Sequence, residues 1–164
     1  MSFWPTHEHW SVKIPLRTEH TLVDALVDSG FVELTDMPVD VPEAEFLPLE
    51  YMDWKSGGDT NFAPLASADG ELDCRGFWDK GKTDKDALWT SNADTTPSLR
   101  AYVDAVGANF GRVRVIKLEP QDRDTAIRSI HRDDNNRFNP AGDGWVVRSW
   151  VELTDNPDSY MLLM

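Results

Sequence analysis

From Arg112 onward the sequence runs through successive short apolar and β-branched stretches, most of them closed by turn residues, and this limits the fold more than any other feature. Arg112-Val113-Arg114-Val115-Ile116-Lys117-Leu118 reads as a strand, and Glu119-Pro120-Gln121-Asp122 ends it as a turn. Thr125 to His131 is predicted as a second strand and Trp145 to Leu153 as a third, the longest. Thr154-Asp155-Asn156-Pro157-Asp158 forms the next turn, and Tyr160-Met161-Leu162-Leu163-Met164 begins a fourth strand. Successive strands of antiparallel type imply a sheet folded on itself, a jelly-roll or barrel.

The first part of the chain is different. Thr18 can cap a helix whose apolar face is Leu22, Val23, Leu26 and Val27, with Gly30 as its stop, and Phe31-Val32-Glu33-Leu34 follows as a strand. Between Arg17 and Lys55 there are ten acids and no base, with Pro38, Pro42 and Pro48 interrupting regular structure. That stretch reads either as a solvated, irregular connection or as an acidic docking surface. Residues 55–97 read as loop-rich, with turn chemistry at Ser56-Gly57-Gly58-Asp59, Ala68-Asp69-Gly70 and Asp79-Lys80-Gly81-Lys82. They form either a substrate lid or a plain wrapping of the core. Thr96-Pro97 is a helix start, a capping hydroxyl before Pro at the first helical position, and Leu99, Tyr102, Val103 and Val106 then share one face.

The fold class expected is therefore α+β, with N-terminal helices packed on a jelly-roll sheet. At 164 residues the chain fits one domain, with residues 1–96 as its α/β and loop-rich part and residues 97–164 as a helix plus strands. Forty per cent hydrophobic residues, with seven Trp and seven Phe, supply a core, while a mean hydropathy of −0.47 indicates a polar surface. A net charge of −13 repels phosphate backbones and anionic lipid, which argues against nucleic acid and membranes as partners. The acidity is concentrated in residues 1–82, with 16 acids against 6 bases; residues 83–164 carry 13 against 10 and suit an anionic ligand better. Cys74 is the only cysteine, so an intrachain disulfide is impossible. The N-terminus lacks the basic region and apolar core of a signal peptide, and no 18-residue apolar run occurs. A soluble, cytoplasmic protein is expected.

The residues that carry chemistry are His131 and Asp133, with Arg148 downstream. Two residues apart on an extended segment, an imidazole and a carboxylate point to the same side and can reach one metal ion. Non-haem Fe(II) oxygenases use two His and one carboxylate on one face of the ion, leaving other positions open. Isolated HxD pairs are common by chance; this one ends a predicted strand and precedes an Arg-bearing strand. His7-Glu8-His9 is a second imidazole pair, read as partly exposed histidines on an arm pinned by Trp4 and Trp10, and His20 as a surface residue of the first helix. No glycine-rich nucleotide-binding motif is present.

Residues 97–164, about 40% of the chain, resemble the Fe(II)/2-oxoglutarate-dependent oxygenases, most closely the aspartyl/asparaginyl β-hydroxylase and bacterial proline hydroxylase group. The resemblance runs through the helix at 98–109, the strand ending at Glu119-Pro120, His131-Arg132-Asp133, and Val147-Arg148-Ser149-Trp150-Val151-Glu152-Leu153. It implies a double-stranded β-helix, iron held by His131 and Asp133, and a carboxylate of 2-oxoglutarate or substrate held by Arg148. The reaction implied is hydroxylation of an amino acid or peptide side chain, coupled to oxidative decarboxylation of 2-oxoglutarate.

The sequence departs from the family in one respect: no histidine follows His131, so the distal ligand and the basic residue beyond it are not found. The apolar run at Tyr160–Met164 would leave a barrel's edge unpaired. Either the jelly-roll is incomplete because the sequence is the first part of a longer oxygenase, or a protein partner covers that edge strand. The competing expectation is a non-catalytic binding or assembly module on the same scaffold. A cupin-like isomerase fits less well, because the usual multi-His cluster is missing.

Overall fold

The computed structural model describes residues 12–14, 32–34, 40–53, 60–72, 80–82, 87–106, 110–128 and 148–157. These form an α+β structure whose centre is an antiparallel sheet of four strands. Two short strands lie in a separate sheet: β1 (Val12–Ile14) pairs in parallel with β2 (Val32–Leu34), with Val12 opposite Val32. A parallel pair requires a crossover of a dozen or more residues. The 17 residues between Ile14 and Val32 are long enough to provide one, and the predicted helix from Thr18 to Gly30 falls within them, outside the described residues.

The central strand is β4 (Thr60–Ser67), eight residues long. Along one edge it pairs end to end with two short strands. These are β3 (Met52–Asp53), with Met52 opposite Phe62, and β5 (Leu88–Trp89), with Ala66 opposite Trp89. Along the other edge it pairs antiparallel with β6 (Val113–Leu118), from Thr60 opposite Leu118 to Ala66 opposite Val113.

The expectation of a loop-rich stretch over residues 55–97 is thus corrected in part, because β4 runs through its first third. Asn61-Phe62-Ala63-Pro64-Leu65-Ala66 is poor in β-branched residues and holds a proline, which cannot donate to a ladder. A shift in pairing between Pro64 and Ala66 accommodates it. The Pro64 carbonyl accepts from the Thr90 hydroxyl at 2.7 Å and from Asn92 Nδ2 at 3.2 Å. The Thr90 N–H donates to the Leu65 carbonyl at 2.9 Å. Small side chains then allow close packing: Ala63, Leu65 and Ala66 are all fully buried.

One face of the sheet carries the core. Ala63, Leu65 and Val115 pack with Phe46, Leu49, Ala93 and Leu99, and Val41, Tyr51, Trp89, Val113 and Leu153 close around them. Phe46 comes from α1 (Glu43–Phe46), Ala93 from a 3-10 helix (Ser91–Thr95), and Leu99 from α2 (Pro97–Val106). The predicted face of α2 is the one it buries, with Leu99 and Tyr102 inside and Val103 and Val106 half-buried. Alternation along β4 turns Phe62 to the opposite face, yet it is only 1% exposed, with the Arg114 guanidinium 5.4 Å from its ring. Both faces of β4 are buried, so this strand is the interior of the domain and not a covering loop.

The start of α2 is as predicted, but its cap is not. The buried Thr96 hydroxyl faces backwards, donating to the carbonyls of Asn92 (3.3 Å) and Ala93 (3.4 Å). Glu45 of α1 takes the capping role instead, accepting from the Ser98 N–H at 2.9 Å and the Ser98 hydroxyl at 2.6 Å.

After β6 the structure departs from the predicted run of strands. Residues 123–128 form a helix, α3 (Arg123–Arg128), where a strand from Thr125 to His131 is expected. Thr125 and Ile127 give the segment its strand-like composition, but Asp122 caps a helix in front of them, accepting from the Thr125 N–H at 2.9 Å and its hydroxyl at 2.8 Å. Residues 148–153, expected in the third strand, have no strand pairing, while Val151 and Leu153 are half-buried and Glu152 is exposed. The fourth strand lies outside the described residues.

Candidate functional site

Of the three residues that carry the predicted chemistry, Arg148 is described, and its side chain is exposed at the start of segment 148–157. His131 and Asp133 lie outside the described residues, as do His7, His9 and His20, so the described part of the chain contains no histidine. Among the described residues no group of three or more His, Cys, Asp or Glu is placed to hold a metal ion.

What is described are the two approaches to residues 129–147. On the N-terminal side the chain leaves the sheet at Leu118, turns through Glu119-Pro120-Gln121, and enters α3 at Arg123; His131 follows Arg128 by three residues. An ion pair of 2.6 Å between Lys117 and Glu119 brackets the exit from β6. Its hydrogen bond with Glu119 raises the Lys117 pKa above the ordinary lysine value. Beside this exit, Tyr51 donates its hydroxyl to the Phe46 carbonyl at 2.8 Å. Burial pushes the Tyr51 phenol up, against the opposing charge of Lys117. The hydrogen bonds from Thr125 hold the Asp122 carboxyl below its usual range.

On the C-terminal side, Leu153 packs against the core cluster and anchors segment 148–157 five residues beyond Arg148. The exposed Trp150 lies between them. Both approaches start from the same core, Leu153 touching the cluster to which Val115 of β6 belongs. Val115 of β6 and Leu153 of segment 148–157 thus belong to one packed body.

The residue that sequence reading missed is Asp122. Its signal was an Asp three residues before a Thr, the spacing at which a side-chain oxygen meets the third helical N–H. Glu45 gave no such signal, since it lies 53 residues from Ser98, whose N–H it accepts. No described helix is long and apolar enough to cross a membrane. No protein-family model, curated protein or solved structure matches the chain.

Proposed function

We propose that this protein is an Fe(II)/2-oxoglutarate-dependent hydroxylase of the aspartyl/asparaginyl β-hydroxylase or proline hydroxylase kind, on a double-stranded β-helix, acting on an amino acid or peptide side chain. The observation that carries the reading is the His131-x-Asp133 pair with Arg148 following it. The antiparallel sheet with α2 packed on its core face, and the core shared by β6 and Leu153, support it. A cytoplasmic setting accords with a single cysteine.

In this reading His131 and Asp133 hold the metal, and a third ligand completes the facial set. Arg148 offers a planar, permanently charged fork that clamps one carboxylate through two hydrogen bonds. Bound iron and 2-oxoglutarate together supply the oxidising chemistry for an unactivated C–H bond. The chain's own part is to orient the carboxylate and keep bulk water from the reacting atoms.

The test is anaerobic addition of Fe(II) and 2-oxoglutarate to the purified protein. A visible charge-transfer band that is lost in His131→Ala and Asp133→Ala supports the reading, and a protein that gives no band refutes it. The alternative, a non-catalytic binding or assembly module, draws on the exposed Leu118 and Trp150. It is favoured if the chain binds neither metal nor 2-oxoglutarate.

A further inference from the structure

We infer that residues 150–153 are a strap that closes on the outer edge of β6, pairing with it antiparallel as a fifth strand of the sheet. Two parts of the structure border one core, and each is half of such a pair. Among the described residues β6 pairs with β4 alone, and its last three residues, Ile116, Lys117 and Leu118, are exposed on both faces of the sheet. An edge of this kind is a ready template for another strand. Residues 150–153 have no strand pairing, yet their burial alternates as in a strand: Trp150 and Glu152 are exposed, Val151 and Leu153 half-buried. Leu153 packs against the cluster that includes Val113 and Val115 of β6.

Parity limits the register. In β6, Val113 and Val115 belong to the core face, while Arg114, Ile116 and Leu118 belong to the opposite one. An antiparallel strap that keeps Val151 and Leu153 inward sets Leu153 opposite Val113, Val151 opposite Val115, Glu152 opposite Arg114 and Trp150 opposite Ile116. Every opposed pair is then favourable: two apolar pairs inward, one pair of opposite charge and one aromatic and β-branched pair outward. A slide of two residues toward Leu118 loses the charge pair and sets Val151 against Lys117. The lengths also agree, since Leu153 to Trp150 and Val113 to Ile116 each span about 10 Å when extended. The anchor at Leu153 therefore delivers Trp150 to Ile116. Closed, the strap covers Ile116, 40% exposed, with Trp150, 51% exposed, and occupies the edge through which copies of the chain would otherwise pair.

The experiment uses the full chain with Cys74→Ser, carrying Ile116→Cys and Trp150→Cys, exposed to oxidised glutathione at low protein concentration. The two thiols join in a disulfide as glutathione leaves as its thiol. They join within one chain about tenfold faster than in an Ile116→Cys and Val151→Cys control, whose second thiol lies on the inward face, because only cross-strand partners sit at disulfide distance. A second measurement needs no cysteine: Glu152→Arg sets two like charges opposite each other, so amide exchange over residues 114–118 speeds up about fivefold while that of β4 is unchanged. Equal rates for the two cysteine pairs, or disulfides that form only between chains, overturn the inference. Unchanged exchange over residues 114–118 in Glu152→Arg overturns it as well.

Discussion

The Glu45 carboxylate caps a helix to which it does not belong, accepting the N–H and hydroxyl of Ser98 across 53 residues of sequence. This bond pins α1 to the start of α2 where Phe46 and Leu99 enter the same core. Glu45→Ala should cost about 1 kcal/mol, the usual worth of a capping interaction. Glu45→Gln should recover part of this, since one amide oxygen replaces two carboxylate oxygens. Urea unfolding of the two variants checks the order.

Asn92 makes a larger prediction, because it joins three segments. Its side chain meets the Glu50 N–H at 3.5 Å, the Glu50 carbonyl at 3.4 Å and the Pro64 carbonyl at 3.2 Å. Asn92→Ala should destabilise by roughly 1–3 kcal/mol, the range for leaving buried backbone groups unsatisfied. Asn92→Asp should be worse at neutral pH, since a carboxylate cannot donate to either carbonyl. Chemical denaturation at pH 7 and pH 4 tests this; the two variants should converge as the introduced carboxyl protonates.

Gly70 and Gly81 both have positive φ, but only Gly70 is crowded. A Cβ there would lie 3.1 Å from the Trp89 carbonyl oxygen and 3.5 Å from Leu88 Cβ, whereas at Gly81 nothing lies within 4 Å. Gly81→Ala should cost about 1 kcal/mol of backbone strain, and Gly70→Ala more than that, because β5 must shift as well. A fall of the Gly70→Ala thermal midpoint no greater than that of Gly81→Ala would refute the contact.

Phe62 and Ile116 are directly opposed in the ladder, yet their substitutions should differ severalfold. Phe62 is 1% exposed and Ile116 40%. Phe62→Ala should cost about 3–5 kcal/mol and Ile116→Ala about 1–2, since only the first leaves a closed cavity. Equal losses in urea titration would show that Phe62 is not enclosed more fully than Ile116 on the face they share.

Asp69 gives a pH dependence. Its hydrogen bond from Lys80 holds the carboxyl below its ordinary value of 3.8, with the Glu71 N–H adding to the effect. A depressed folded pKa contributes stability that is fully present above 3.8 and lost as the pH falls through the lower folded value. The stability gap between wild type and Lys80→Met should therefore be present at pH 6 and vanish toward pH 2. It should also shrink in high salt, because Asp69 is exposed.

The sequence by itself determined the elements whose signals are local. Pro97 with its apolar face at Leu99 and Tyr102 gave α2, and β-branched alternation from Val113 gave β6. It also carried the His131, Asp133 and Arg148 pattern on which the functional proposal stands. The tertiary structure alone decided that Thr60–Ser67 is the central strand. Ala and Pro residues there have no strand preference of their own and are extended because β6 and the 3-10 helix satisfy their backbone. It decided, too, that Glu45 caps α2, a choice fixed by the packing of α1. At Thr125 the outcome turned on competition: strand-like composition yields to the capping carboxylate one turn before it, since no strand partner is described for that segment. Local propensity is a difference of tenths of a kcal/mol per residue, and a partner supplied by the fold outweighs it.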